Sequence, residues 1–122
     1  MATRIENIRW CSPEVVKGSP FSAQSDVWSY GMTCLELLSG NVPYSEIGRD
    51  ISVLRAIGKG GLPNRPRTDA TPDGLSESVW HLLRRCWQTE PKSRLPISVV
   101  KAALQRIREG DFNWSLMICV GI

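Results

Sequence analysis

Few side chains in this chain have the type and spacing that a catalytic site requires. The single histidine, His81, lies in an apolar helical pattern, and no serine or cysteine is placed to form a triad with it. The glycine-rich run at 58–61 lacks the G-x-G-x-x-G spacing and follows a predicted helix, so helix termination is favoured over phosphate binding. We therefore predict no catalytic residue, no cofactor-binding residue and no metal ligand.

The cysteines support the same interpretation. The chain has four, which form no C-x-x-C pair: Cys11, Cys34, Cys86 and Cys119. With one histidine they cannot supply a zinc set of familiar spacing, and those in apolar helical patterns are expected to be buried free thiols. The first residues are polar and contain no signal peptide, so we expect a cytoplasmic location.

The charge balance excludes two classes of partner. Fifteen basic and twelve acidic residues give a net charge of +3, and no helix carries a dense basic stripe, so nucleic acid is not expected. The basic residues at 84–85 and 92 are read as a solvated helix face. The longest apolar helix is too short and too interrupted to span a bilayer, so no membrane partner is expected. A chain of 122 residues forms one domain at most.

The element expected to position the rest is the apolar stretch at 21–40. Its apolar side chains surround the helix axis, and such a helix belongs inside a domain: Val27, Trp28, Tyr30, Met32, Cys34, Leu35, Leu37 and Leu38. Ser22 or Ser25 can cap its start, and Gly40 can end it. Asp26 in the first turn has two interpretations: it complements the helix dipole, or it is a buried acid that holds a neighbouring loop's amides.

Shorter helices are predicted on both sides of this stretch. Ser12-Pro13-Glu14 has the order of a helix start, with the serine as its cap. Three amphipathic helices follow, over 51–57, from Ser76, and from Pro96 to a stop at Gly110. Their apolar faces are Ile51, Leu54 and Ile57; Val79, Trp80, Leu83, Cys86 and Trp87; and Ile97, Val100, Leu104 and Ile107. No alternating strand is found, so the sequence predicts an all-α fold around a central buried helix.

Four short motifs stand in a fixed order along this pattern. They are Arg9-Trp10-Cys11-Ser12-Pro13-Glu14, then Ser25-Asp26-Val27-Trp28-Ser29-Tyr30-Gly31, then Gly40-Asn41-Val42-Pro43-Tyr44, and finally Cys86-Trp87 with Pro91 and Arg94. In this order they resemble the C-terminal, helical lobe of a protein kinase domain, from the A-P-E motif to the last helix. The Trp before Ser-Pro-Glu and the Cys-Trp pair resemble the tyrosine-kinase-like group, which is mostly specific for Ser and Thr.

The resemblance implies that one ion pair anchors the end of the activation segment. Ser12-Pro13-Glu14 resembles Ala-Pro-Glu, with a serine in place of the alanine. Glu14 would then pair with Arg94 and hold that segment on the helical lobe. The family usually has Arg-Pro where this chain has Arg94-Leu95, but Pro96 follows at once and is expected to preserve the start of the last helix.

The other motif residues receive structural roles from the same resemblance. Asp26, in the motif that includes Trp28 and Gly31, would hold the backbone of the catalytic loop and support the apolar column that aligns the two lobes. Arg9 and Trp10 would lie in the loop that receives the substrate residue after the phosphoacceptor.

The resemblance also implies that the catalytic parts are absent. The Gly-rich loop, the strand Lys, the helix Glu, H-R-D-x-x-x-x-N and D-F-G all precede A-P-E in the family, and only thirteen residues precede Glu14 here. Asp111-Phe112-Asn113 follows the last predicted helix and lacks the Gly, so it is not expected to bind a metal. ATP and Mg belong to the intact family, and no cofactor is expected for this chain.

Three segments and two functions are therefore expected. Residues 1–10 would end the activation segment and form the substrate loop, 11–109 would be a partial kinase domain, and 110–122 would be an apolar tail outside the family pattern. The chain would be an inactive fragment of a kinase that phosphorylates Ser or Thr, with Tyr as the second choice. The alternative is a non-catalytic helical module that binds a partner protein. An unrelated helical domain is the third choice. Because upstream helices are missing, one side of the central helix is expected to lie open and to cause self-association.

Overall fold

The structure is a computed structural model that describes residues 5–66 and 76–108. Its elements are a 3-10 helix at Ile5–Trp10, α1 at Pro13–Val16, α2 at Ala23–Ser39, α3 at Asp50–Gly58, α4 at Glu77–Cys86, a second 3-10 helix at Pro91–Ser93, and α5 at Ile97–Arg108. No strand occurs in these two ranges, so the all-α prediction is confirmed for the described part of the chain. The predicted stop at Gly110, the tail at 110–122 and Cys119 lie outside it.

The ends of α2 follow from their sequence. The Ser22 hydroxyl accepts a hydrogen bond from the Ser25 backbone N–H at 3.1 Å, and the Ser25 hydroxyl accepts one from the Ser22 backbone at 2.7 Å. This reciprocal cap satisfies N–H groups that have no partner inside the helix. Gly40 ends the helix in the left-handed conformation, with φ of 77°, which glycine adopts without steric penalty. Both predicted caps and the predicted stop are therefore present.

The prediction that α2 is covered on every side is wrong. Its inward face is buried and consists of Ser25, Val27, Trp28, Gly31, Met32 and Leu35. The opposite face is open: Leu37 is 78% exposed, Asp26 is exposed, and Tyr30 and Cys34 are half-buried. The reason is that the described helices pack against one side of α2 only. We call the stripe formed by Asp26, Tyr30, Cys34 and Leu37 the open face of α2.

The core lies where α2 meets α4. On the far side of α4 lies α5, while α3 packs against the first 3-10 helix and α1. A Cβ added at Gly31 would lie 2.8 Å from Trp87 Nε1 and 3.1 Å from Cys86 Cβ, so the close approach of α2 and α4 needs a glycine. The largest fully buried side chains include Trp28, Tyr44, Met32, Ile57, Leu82, Leu83 and Leu95.

Two predicted helix faces need correction. In α3 the buried residues are Val53 and Ile57, while Ile51 is 53% exposed. In α5 Ile97 is 39% exposed and Val100 is buried. Helices of this length leave several apolar stripes possible, and contact with the neighbouring elements selects one of them.

The described residues offer neither a membrane span nor a metal cluster. Within 5–66 and 76–108, no helix is both long and apolar enough to cross a bilayer. The same residues contain no group of three His, Cys, Asp or Glu side chains placed to hold a metal ion. Cys11, Cys34 and Cys86 are free thiols, of which Cys34 is only half-buried.

Candidate functional site

The Ser-Pro-Glu motif forms the start of α1. Ser12 precedes the helix in an extended conformation, with φ of −73° and ψ of 159°, and Pro13 occupies the first turn. The prediction that the Ser12 side chain caps this helix is wrong, because its hydroxyl makes no capping bond. Ser12 is instead fully buried beneath the chain that leads into α1. Its backbone carbonyl accepts the first helical hydrogen bond, from Val16 at 3.0 Å.

Glu14 meets Arg94 as the motif order predicts. The Arg94 Nη1 atom lies 2.7 Å from Glu14 Oε2, and Nη2 lies 2.8 Å from Oε1, which is a bidentate pair. The remaining N–H groups donate to the backbone carbonyls of Gln88 at 2.8 Å, Gln24 at 3.1 Å and Thr89 at 3.4 Å. A guanidinium has five N–H donors, so all five have an acceptor here. We call this group the Arg94 anchor.

The Arg94 anchor is almost closed to water. The Arg94 side chain is 0% exposed and that of Glu14 is 19% exposed. The guanidinium carbon lies 5.0 Å from the centroid of the Trp28 ring, a distance at which the aromatic face attracts a cation. Arg94 therefore touches α1, α2 and the segment after α4 at one point. Residue 95 after it does not disturb α5, because the Pro96 carbonyl still accepts the first helical bonds.

The electrostatics of the anchor keep Glu14 charged. Burial raises the pKa of the Glu14 carboxyl, but the hydrogen bonds and the positive charge of Arg94 outweigh it, and the pKa lies below its ordinary value. The carboxylate is thus ionised at neutral pH. A buried Arg whose charge is balanced and whose donors are all used is a structural joint.

Arg9 points into the protein instead of toward solvent. Its Nε donates to Asp50 Oδ1 at 3.1 Å, and Nη1 donates to the carbonyls of Pro43 at 3.1 Å and Tyr44 at 2.9 Å. Its Nη2 donates to the carbonyl of Ile47 at 3.0 Å. The side chain of Arg9 is 12% exposed, so little of it is available to a substrate.

Trp10 holds the same short helix against α2. Its indole N–H donates to Glu36 Oε1 at 3.2 Å, and the Ser29 hydroxyl donates to the Trp10 carbonyl at 2.8 Å. Both partners lie on the face of α2 that the first 3-10 helix covers. Residues 9 and 10 thus fix the predicted substrate loop to two different elements.

Asp26 is exposed in the first turn of α2. Among the residues that the structure describes, its carboxylate has no hydrogen-bond partner, so the interpretation as a buried acid is wrong for this chain. Its position in the first turn suits the helix dipole. The role implied by the resemblance, holding the backbone of a catalytic loop, needs a segment that this chain does not contain and stays a prediction.

A cavity of about 390 Å³ lies between the end of α2 and two loops. Its lining is neutral apart from Glu46 and Arg65, and consists of Leu35, Ser39, Asn41, Val42, Tyr44, Ser45, Glu46, Pro63, Asn64, Arg65 and Pro66. Arg65 also pairs with Glu77 at 2.8 Å, and His81 lies 3.0 Å from the same carboxylate on the surface of α4. The cavity holds no nucleophile with an adjacent base, so it offers no catalytic chemistry.

Sequence reasoning missed most partners in these networks. The carbonyls that accept from Arg94 and Arg9 are backbone groups, which every residue possesses, so the sequence carries no signal for them. The contacts of Trp10 with Ser29 and Glu36 are seven residues apart on α2, a spacing that places both on one side of a helix. That spacing was the only signal that could have indicated them.

The helical fold and the Arg94 anchor define the helical lobe of a protein kinase domain. The family described as "Protein tyrosine and serine/threonine kinase" matches residues 2–104. The chain therefore belongs to this family.

The relatives are much longer kinases and receptors. The chain is 33% identical over 87 residues to "Mitogen-activated protein kinase kinase kinase 12" of Rattus norvegicus, which is 71% of this chain and 9% of the relative. It is 39% identical over 114 residues to "Insulin-like growth factor 1 receptor" of Bos taurus, or 88% of this chain and 17% of the relative. With "Proto-oncogene tyrosine-protein kinase ROS" of Rattus norvegicus the identity is 36% over 107 residues, 87% of this chain and 4% of the relative. The chain thus spans 4–17% of these relatives.

Proposed function

We propose that this chain is the helical part of an ATP-dependent protein kinase domain whose parent reaction transfers a phosphoryl group to Ser or Thr of a protein substrate. The Arg94 anchor is the observation that carries the proposal, because it joins the Ser-Pro-Glu segment to the end of the lobe. Tyr is the second choice of acceptor, since one relative is named a tyrosine-protein kinase. The segment assignments, a substrate loop at 1–10, a kinase portion at 11–109 and a tail at 110–122, belong to this proposal.

The contribution of these residues is positional. Phosphoryl transfer depends on placing the reacting groups and stabilising the charge on the phosphates. Glu14 and Arg94 would hold the end of the activation segment, and Arg9 and Trp10 would hold the loop that faces the substrate. None of them would touch the phosphates.

ATP and Mg do not fit the described residues. The glycine-rich run at 58–61 ends α3, with Gly60 at φ of 85° closing the turn, and it makes no cradle for phosphates at a helix N-terminus. The described acids form no cluster suited to Mg. We therefore propose that the chain on its own transfers no phosphate. Incubation with labelled ATP, Mg and a generic protein substrate tests this. Transfer that survives removal of contaminating kinases would overturn it.

A chimera tests the parent reaction. Residues 5–108 replace the matching segment of the "Mitogen-activated protein kinase kinase kinase 12" of Rattus norvegicus, which supplies its own upstream half. We expect the chimera to phosphorylate protein, and analysis of the labelled amino acids identifies Ser, Thr or Tyr as the acceptor. The Arg94→Ala chimera is the matched control and should lose activity. A folded chimera without activity would contradict the proposal.

The open face of α2 favours a second candidate, a non-catalytic module that binds a partner protein. Leu37 and Phe21 are 78% and 61% exposed, and large exposed apolar side chains on one element mark interaction surfaces. The coding DNA upstream of Met1 separates the two candidates. An in-frame H-R-D and D-F-G there would support the kinase, and their absence from an expressed transcript would support the module. A cytoplasmic location stays a prediction, with the free thiols in its favour.

A further inference from the structure

Arg9 joins two segments that are far apart in the chain. Its guanidinium donates to three carbonyls in the turn after α2, which spans 43–47, and to Asp50, the first residue of α3. Asp50 lies 41 residues after Arg9. The side chain of Asp50 is 46% exposed, whereas that of Arg9 is 12% exposed. One end of this connection is thus open at the surface and the other is covered.

The turn that Arg9 contacts contains a backbone conformation that needs support. Tyr44 has φ of 58°, in the left-handed region that a bulky residue seldom adopts. Its side chain is buried, and its hydroxyl donates to the Gly61 carbonyl at 3.0 Å. Such a conformation persists where the surroundings determine it more than once. Arg9 supplies a second restraint, because it binds the carbonyls of both Pro43 and Tyr44.

The next residue ties the same short helix to α2. Trp10 donates to Glu36 and accepts from Ser29, so its position depends on the α2 surface. Arg9 and Trp10 are neighbours in one 3-10 helix, and a displacement of one backbone is passed to the other. The short helix therefore connects α2 with the start of α3.

We propose that Arg9 is a positioning residue that couples the start of α3 to the loop at 5–10, so that a change at Asp50 moves Trp10. A substrate makes no contact with Arg9 in this arrangement. Arg9 acts through the 43–47 turn and through Trp10. The inference rests on the proposed function only for the name substrate loop, and the coupling itself is a property of this chain.

Nuclear magnetic resonance of the full chain tests the coupling through the indole N–H signals. Asp50→Asn removes one charge at an exposed position and should leave the fold intact. We expect the Trp10 indole signal to shift and the Trp28 and Trp80 signals to stay in place. The control is Glu90→Gln, an equivalent change at the start of the second 3-10 helix, which should leave Trp10 unmoved. A Trp10 signal that does not respond to Asp50→Asn would overturn the proposal.

The same change made in an Arg9→Lys chain identifies the route. Lysine keeps the charge but cannot reach four acceptors at once. Asp50→Asn should then no longer shift Trp10. A shift of equal size in both backgrounds would show that the coupling avoids Arg9, and the proposal would be wrong.

Hydrogen exchange of the unmodified chain gives a measurement that needs no variant. The Cys11 N–H donates to the Ile8 carbonyl at 2.9 Å, and the Ile47 N–H donates to the Tyr44 carbonyl at 2.8 Å. If Arg9 makes one unit of these segments, both amides exchange in the same opening event and respond equally to denaturant. Independent opening of the two segments would contradict the coupling. Neither result depends on kinase activity, so failure here is distinct from failure of the chimera.

Discussion

Arg94 and Glu14 face each other across 80 residues of sequence, with both guanidinium nitrogens on both carboxylate oxygens. This pair closes the described chain on itself, since Glu14 lies in the first turn of α1 and Arg94 just before α5. The Trp28 ring lies beside the same guanidinium, which brings the central helix into the contact. The anchor therefore joins three parts of the lobe whose relative positions no single helix determines.

Removal of Arg94 should strongly destabilise the fold. Arg94→Ala leaves Glu14 with a charge and no partner, and breaking a buried pair in this way costs about 3–5 kcal/mol. We expect the lower end of that range because Glu14 retains 19% exposure of its side chain. Urea denaturation measures the change in the free energy of unfolding. The control is Arg84→Ala, at an exposed position of α4, which should change little.

The double change of Glu14→Ala with Arg94→Ala should cost less than the sum of the two single changes. The reason is that the second removal takes away a charge that the first has already left unpaired. Additive losses would show that the contact does not contribute as a pair.

Acid should weaken the anchor. The pKa of Glu14 is lower in the folded state than its ordinary value of 4.5, so the unfolded chain binds more protons than the folded chain between these two pKa values. The stability that this carboxylate contributes is complete above pH 4.5 and is lost as the pH falls through the folded-state pKa. Glu14→Gln should remove this part of the pH dependence. Free energies of unfolding, measured at neutral pH and in steps below pH 4.5, should therefore converge for the two chains. Parallel curves would contradict the assignment.

A methyl group at Gly31 should push α2 away from α4. Gly31→Ala places a carbon 2.8 Å from Trp87 Nε1, and overpacking of this kind costs about 1–3 kcal/mol. The matched control is Gly58→Ala in α3, where no atom lies within 4 Å of the added carbon. That change should be neutral or stabilising, by up to about 1 kcal/mol. Equal effects of the two changes in thermal unfolding would show that the Trp87 ring moves aside freely.

The open face of α2 should cause self-association. Leu37→Lys places a charge on the side chain that is 78% exposed there, and sedimentation velocity should then show less association. The control is Ala102→Lys, an equal charge at an exposed position of α5. Deletion of 111–122, which lies outside the described residues and carries eight apolar residues, should also improve solubility. A monomeric full-length chain that the deletion makes less soluble would mean that the tail completes the core.

The sequence alone determined the helices and their ends where local chemistry decides. Ser22 with Ser25, Gly40 and Ser76 are capping signals because they satisfy backbone groups within a few residues, and each stands at the predicted helix end. The Glu14–Arg94 pair was also available from sequence, but only through the order of the motifs.

Tertiary structure alone decided where the polar side chains point. Arg9 was expected at a surface for substrate, yet its guanidinium turns inward because four acceptors on distant backbone and on Asp50 converge there. The α2 sequence is apolar around its whole circumference, but which side is covered depends on the helices that remain to pack on it. Backbone acceptors and close helix approaches depend on distances between segments, and no residue type records those distances.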